Sequence, residues 1–198
     1  MRLLPELRIL DFDIECRPLS WYGGDFVTKE VTAIAWSWVG TNKVRAICLA
    51  ESRAITPEYM LTAFVETFDE ANMVTGHFIR GFDLPVINGA LAEFGLPLLS
   101  DKLTHDTKLD LVKRSGLSNS QENLGSTLGL EAPKVSMNQA MWRSANRLES
   151  EGIALAKERV IGDVVQHKQM REEMIKRGWL GPPKVWSSKP TASTRYHA

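Results

Sequence analysis

Cysteine is nearly absent from this chain: Cys16 and Cys48 are the only two in 198 residues. Two thiols so far apart make neither a zinc motif nor a disulfide framework, and they fit a reducing cytoplasm. There is no GxGxxG and no GxxxxGKS/T loop, so phosphate cradles of those kinds are excluded. No Ser/His/Asp or Cys/His signature points to a covalent enzyme intermediate. No internal repeat is present. No apolar run approaches the about 20 residues of a membrane span, and the opening MRLLPELR is too short and too broken for a signal peptide. A soluble, cytoplasmic protein with no membrane partner is expected. Net charge is missing as well, with 24 Lys/Arg against 24 Asp/Glu, so bulk electrostatics select no partner.

What is present is unevenly spread. Residues 1–100 carry 8 Lys/Arg against 13 Asp/Glu, and residues 101–198 carry 16 against 11. A neutral chain divided in this way can set an acidic pocket beside a basic surface, as nucleic acid requires. Ordinary scatter would give the same counts. The apolar fraction of 43% is ample for one domain with a real core.

The acidic half centres on residues 7–15, LRILDFDIE. Leu7, Ile9, Phe12 and Ile14 make it a buried strand that ends in acids. Alternation places Asp13 and Glu15 on one face, roughly 7 Å apart. Asp11 is expected on the other face, outside any chemistry. Taken alone, the run is either a solvated acidic strand end or half of an oxygen-ligand site for Mg²⁺ or Mn²⁺.

Further along, residues 27–39 and 43–50 alternate as two more strands, completing an antiparallel meander. Thr56-Pro57-Glu58 starts a helix that runs to about Asp69. Residues 73–77 form a short strand, and a second helix begins near Asp83 and stops at Gly95. Residues 102–107 form another strand. Helices are expected at 120–128, 138–149 and 152–177, the last with Ile153, Val160, Ile161, Val164 and Val165 as its apolar stripe. Asp163 lies at that stripe, where a carboxylate is costly unless it is paired or binds a metal. Arg159 and His167, on adjacent turns, are its salt-bridge candidates. Residues 179–198 show no periodicity and are expected to be a flexible tail after a domain of residues 1–178.

DFDIE, then GHFIRGFDLPVI (76–87), then a helical Asp163-Val164 resemble the three exonuclease motifs of the DEDD superfamily. These are DnaQ-like 3′–5′ exonucleases of the ribonuclease H-like fold, and the style is closest to family B DNA polymerase proofreading domains. The resemblance covers about residues 7–177. It implies an α/β fold with a mixed five-stranded sheet, three strands antiparallel and then two parallel, flanked by helices.

The resemblance also implies a reaction. Asp13 would bridge two ions, Mg²⁺ or Mn²⁺. Glu15 would bind one of them and orient the attacking water, and Asp83 and Asp163 would complete the ligand set. DNA would be cut from its 3′ end, releasing nucleoside 5′-monophosphates. The substrate would be single-stranded or frayed DNA, with a polymerase or replisome as a possible partner. RNA trimming and non-catalytic binding are the alternatives. Compact enzymes of this kind occur in phage replication modules, which is analogy alone.

Two positions depart from the family pattern. A Tyr four residues before the last Asp, or a His five before it, is replaced by Arg159 and Glu158. The Asn that often precedes the FD pair by four residues is replaced by Phe78. His167, four residues after Asp163, is a substitute base or a surface histidine. His77, Phe78, Arg80, Lys134 and Arg159 are substrate-binding candidates. Lys108, Lys113, Arg143 and Arg147 would extend a basic groove, and Trp21 or Trp142 would stack a base.

Overall fold

The structure is a computed structural model that describes residues 7–19, 28–112, 116–130 and 136–189. The described elements are β1 (Ile9–Pro18), β2 (Lys29–Trp38), β3 (Arg45–Cys48), α1 (Pro57–Glu70), β4 (Met73–Gly76) and α2 (Asp83–Glu93). They continue as β5 (Lys102–Asp106), α3 (Gln121–Leu128), α4 (Gln139–Asn146), α5 (Ser150–Lys176) and β6 (Lys184–Trp186). The strands lie in one mixed sheet in the order β3-β2-β1-β4-β5-β6. β1, β2 and β3 run antiparallel, while β4 joins β1 and β5 joins β4 in parallel.

A sixth strand stands where a five-stranded sheet and a tail were expected. β6 pairs antiparallel with β5, and Thr104 Oγ1 donates to the Lys184 carbonyl at 2.7 Å. Three residues are too few to show a periodicity. The open edge of β5, not local propensity, recruits them. Residues 190–198 lie outside the described residues.

The two faces of the sheet differ in character. Leu10, Phe12 and Ile14 of β1 and Ile34 and Trp36 of β2 face α1 and α2, which contribute Met60, Phe64, Phe68, Leu84, Ile87 and Leu91. Phe12 and Phe68 flank Phe64 at centroid distances of 5.1 and 5.8 Å. Burial of each such ring stabilises by about 2–3 kcal/mol. The Thr56 side chain accepts from Tyr59 N–H at 3.2 Å, and Pro57 opens α1, as its start signal predicts.

On the opposite face β2 presents Ala33 and Ala35, which meet Ile153, Val160 and Val164 of α5. Small side chains there let α5 lie close to the sheet. β1 contributes its odd-numbered residues to this face, and those are the acids.

Candidate metal centre

Strand and helix periodicities coincide between β1 and α5. Two strand residues advance roughly 6.6 Å and four helix residues roughly 6 Å. Glu15, Asp13 and Asp11 therefore step down β1 in time with Arg159, Asp163 and His167 on one stripe of α5. The outer rungs pair opposite charges or hydrogen-bonding partners. Arg159 Nε donates to Glu15 Oε1 at 2.8 Å, and His167 Nδ1 lies 2.6 Å from Asp11 Oδ2. The middle rung sets acid against acid. Asp13, Glu15 and Asp163 each offer an oxygen, all within 4.8 Å of one another. Such an all-oxygen donor set suits a hard divalent cation, Mg²⁺ or Mn²⁺.

Asp83 lines the same cleft, an open space of about 290 Å³. It stands at the first position of α2. Burial pushes its carboxyl up to about 7, against hydrogen bonds from its own and Ile14's backbone N–H; Asp106 and Glu15 push the same way as burial. All four sequence-predicted acids thus reach one cleft, and three of them form the tight group. The bulge between Glu15 and Cys16 ends the alternation at this point.

The loop before Asp83 is held from behind. Asp106 Oδ1 accepts from the N–H groups of Phe78, Lys108 and Leu109, and its Oδ2 accepts from Arg80 N–H, each at 3.0 Å. These bonds keep Phe78 at φ +71°, a left-handed conformation costly for an aromatic residue. The Phe78 ring lies over Gly81, where a Cβ would come within 2.3 Å of it. At Gly76 a Cβ would come within 2.3 Å of Ile79 Cγ2 and 2.8 Å of the Phe12 carbonyl oxygen. Glycine at both positions is a packing requirement.

Several expectations change in the folded protein. Asp11 is not on the opposite face. It shares the face of Asp13 and Glu15 and is completely buried. His167 is neither a surface residue nor a base at the cleft. It is 2% exposed, and its Nε2 lies 2.9 Å from Thr107 Oγ1. Arg80 does not offer its guanidinium to the cleft, because NH1 and NH2 grip Asp110 at 3.0 and 2.6 Å.

Other candidates do stand at the cleft. His77, Phe78, Lys108 and Arg159 line it. His77 Nδ1 lies 3.0 Å from Thr107 Oγ1, at the end of β4. Lys108 Nζ sits 4.3 Å from the Phe78 ring centroid. Arg159 Cζ lies 5.2 Å from the Trp142 ring, so that tryptophan carries a cation. Lys113, Lys134 and Trp21 lie outside the described residues. Both thiols are pushed up to about 11, chiefly by burial, which fits structural rather than reactive cysteines.

The fold recurs in a known protein. A family B DNA polymerase from the hyperthermophilic archaeon Pyrobaculum calidifontis superposes with a TM-score of 0.63 at 16% sequence identity, over 86% of this chain. The match spans only 25% of that polymerase. No family model and no curated relative matches the sequence. At this identity the likeness concerns the fold. Sequence reasoning missed Asp106 and Asp110 as determinants of the loop. Their four-residue spacing beside a strand end was a signal, since Asp110 Oδ2 accepts from Asp106 N–H at 2.9 Å.

Proposed function

We propose that this chain is a divalent-metal-dependent 3′–5′ exonuclease acting on DNA, with the six-stranded sheet, β6 included, and its helices as the nuclease domain. The observation that carries this reading is the acid-on-acid rung. Asp13 from the first strand and Asp163 from the last helix come together with Glu15 inside 4.8 Å. Carboxylates this close repel unless a cation or a shared proton offsets them, and a divalent ion would add to the charge that Arg159 already brings. The polymerase likeness supports a nucleic-acid role.

Asp13, Glu15, Asp83 and Asp163 would hold two ions, Mg²⁺ or Mn²⁺. When bound, such a pair neutralises a phosphodiester and activates water. The surrounding residues serve the strand. Lys108 and Arg159 offer positive charge at the cleft wall, and Phe78 offers an aromatic edge beside them. A nucleoside 5′-monophosphate would leave from the 3′ end. The matched part of the polymerase supports a polymerase or replisome partner as the source of that end.

The test is digestion of a 5′-labelled oligonucleotide with Mn²⁺ or with EDTA, DNA and RNA side by side. A ladder of shortened DNA products that EDTA and Asp13→Asn both abolish is the expected result. Equal ladders from wild type and Asp13→Asn overturn the reading. Degradation of RNA alone moves the substrate class to RNA.

One observation favours a second reading, a binding module without catalysis. Arg159 stands where the family resemblance places a Tyr, and it occupies Glu15 while its NH2 lies 3.6 Å from Asp163 Oδ2. A guanidinium so placed supplies part of the charge that a metal would supply.

A further inference from the structure

We propose that Arg159 is a switching cation: counter-ion of Glu15 and Asp163 in the metal-free protein, and phosphate ligand of the substrate once metal is bound. The inference rests on the nuclease reading above and assigns a role to the residue that most departs from the expected pattern.

Three features of the site lead there. First, Arg159 bridges two members of the tight carboxylate group, at 2.8 Å to Glu15 and 3.6 Å to Asp163. The same two carboxylates belong to the group that could hold a divalent ion. A guanidinium and an incoming divalent ion held by the same carboxylates repel each other at this range, so the two cations compete. Second, Arg159 is only 17% exposed, so a released guanidinium stays at the cleft wall. Trp142 lies 5.2 Å from Arg159 Cζ and supports the charge by its ring face after the carboxylates let go. Third, a guanidinium is planar, permanently charged and shaped to bind phosphate through two parallel N–H groups. A Tyr or His at this position would orient water. An Arg cannot accept a proton from it, since it is already protonated. The position is therefore suited to binding the phosphodiester, not to acting as a base.

Linkage then follows. If Arg159 opposes the metal by a given factor, bound metal loosens Arg159 from its carboxylates by the same factor. An unloaded protein would thus hide its phosphate-binding cation and bind DNA weakly. A loaded protein would expose it.

Mn²⁺ titration calorimetry on wild type, Arg159→Gln and Arg159→Lys reads the first half of the switch. Fluorescence anisotropy of a 5′-fluorescein dT10 strand, in EDTA and in Ca²⁺, reads the second. Arg159→Gln should bind Mn²⁺ about tenfold tighter than wild type, a coupling of ordinary size. It should bind dT10 about tenfold more weakly than wild type in Ca²⁺, a charge-assisted phosphate contact being lost, and equally in EDTA. Arg159→Lys should fall between the two in both assays.

Unchanged or weaker Mn²⁺ binding by Arg159→Gln overturns the inference and leaves the nuclease reading standing. So does unchanged dT10 affinity in Ca²⁺. Mn²⁺ binding by Arg159→Gln but not by wild type means that Arg159 replaces the metal permanently, which overturns the switch in favour of the non-catalytic module. No Mn²⁺ binding by any of the three, with folded circular dichroism spectra, removes the metal site itself and the inference with it.

Discussion

His167 Nδ1 lies 2.6 Å from Asp11 Oδ2, with both side chains buried between β1 and α5. This pair is one of the two outer rungs of the ladder whose middle rung is the candidate metal centre. It ties the strand that carries Asp13 to the helix that carries Asp163. Burial pushes the Asp11 carboxyl above its usual range, and His167 pulls it back. Asp11 Oδ1 has no hydrogen-bond partner among the described residues, so the pair is sensitive to loss of either member.

Asp11→Asn and His167→Gln should each destabilise the protein by about 1–3 kcal/mol. The double variant should cost clearly less than the two together, because the residues share one contact. Urea denaturation of the four proteins measures this. Additive losses would mean that the two residues act separately.

Arg80 and the buried Asp110 form a second, partly buried pair, with Lys184 Nζ at 3.2 Å from Asp110 Oδ1. Burial acts to raise the Asp110 carboxyl, but the hydrogen bonds from Arg80 and the Asp106 backbone outweigh it and hold it below the ordinary value of 3.8. A depressed folded pKa gives stability that is present above the unfolded pKa and lost as pH falls through the folded one. Asp110→Asn should therefore melt below wild type at pH 7, and the gap should narrow as pH falls below about 4. Arg80→Met, which leaves the buried Asp110 carboxylate only Lys184 and the Asp106 N–H, should cost about 2–3 kcal/mol at pH 7. Thermal melts across pH check both, and a gap that widens in acid would refute the assignment.

Asp106 holds the 78–80 turn through the N–H groups of Phe78 and Arg80, and its own following turn through those of Lys108 and Leu109. Asp106→Ala should raise amide exchange at Phe78 and Arg80 and cost about 3 kcal/mol or more, as several donors lose their acceptor. Asp106→Asn keeps one acceptor oxygen and should be milder. Hydrogen exchange followed by mass spectrometry is the measurement. Protection that survives in the alanine variant would show that the turn holds itself.

Lys108 lies beside Phe78 on the cleft wall. Lys108→Ala should weaken dT10 binding and flatten the plot of log K against log salt concentration by about 0.7, the loss of one phosphate contact on a single strand. An unchanged slope would remove Lys108 from the interface.

Much of the architecture was legible in the residues themselves. Thr56-Pro57 announced α1, and the alternation of β1 and β2 announced the central strands, because capping and period-2 burial are local effects. The four acids were singled out by the family resemblance of DFDIE, FD at the start of α2 and Asp163-Val164; only Asp163, a carboxylate at an apolar helical stripe, was a costly choice in its own right. The same alternation that joined Asp13 to Glu15 also includes Asp11, so its buried face was in principle readable. β6 was not, because a three-residue edge strand exists only by pairing with β5.

The sequence by itself determined which side chains carry charge, which segments other than β6 become strands and helices, and that Arg159 stands where the family resemblance places a Tyr. Tertiary structure decided who meets whom. The matched rise of β1 and α5 sets Arg159 on Glu15, Asp163 beside Asp13 and His167 on Asp11. It also turned Arg80 away from the cleft and onto Asp110. Those pairings join residues about 30 to 150 positions apart, and long-range register is a property of packed faces rather than of any local run.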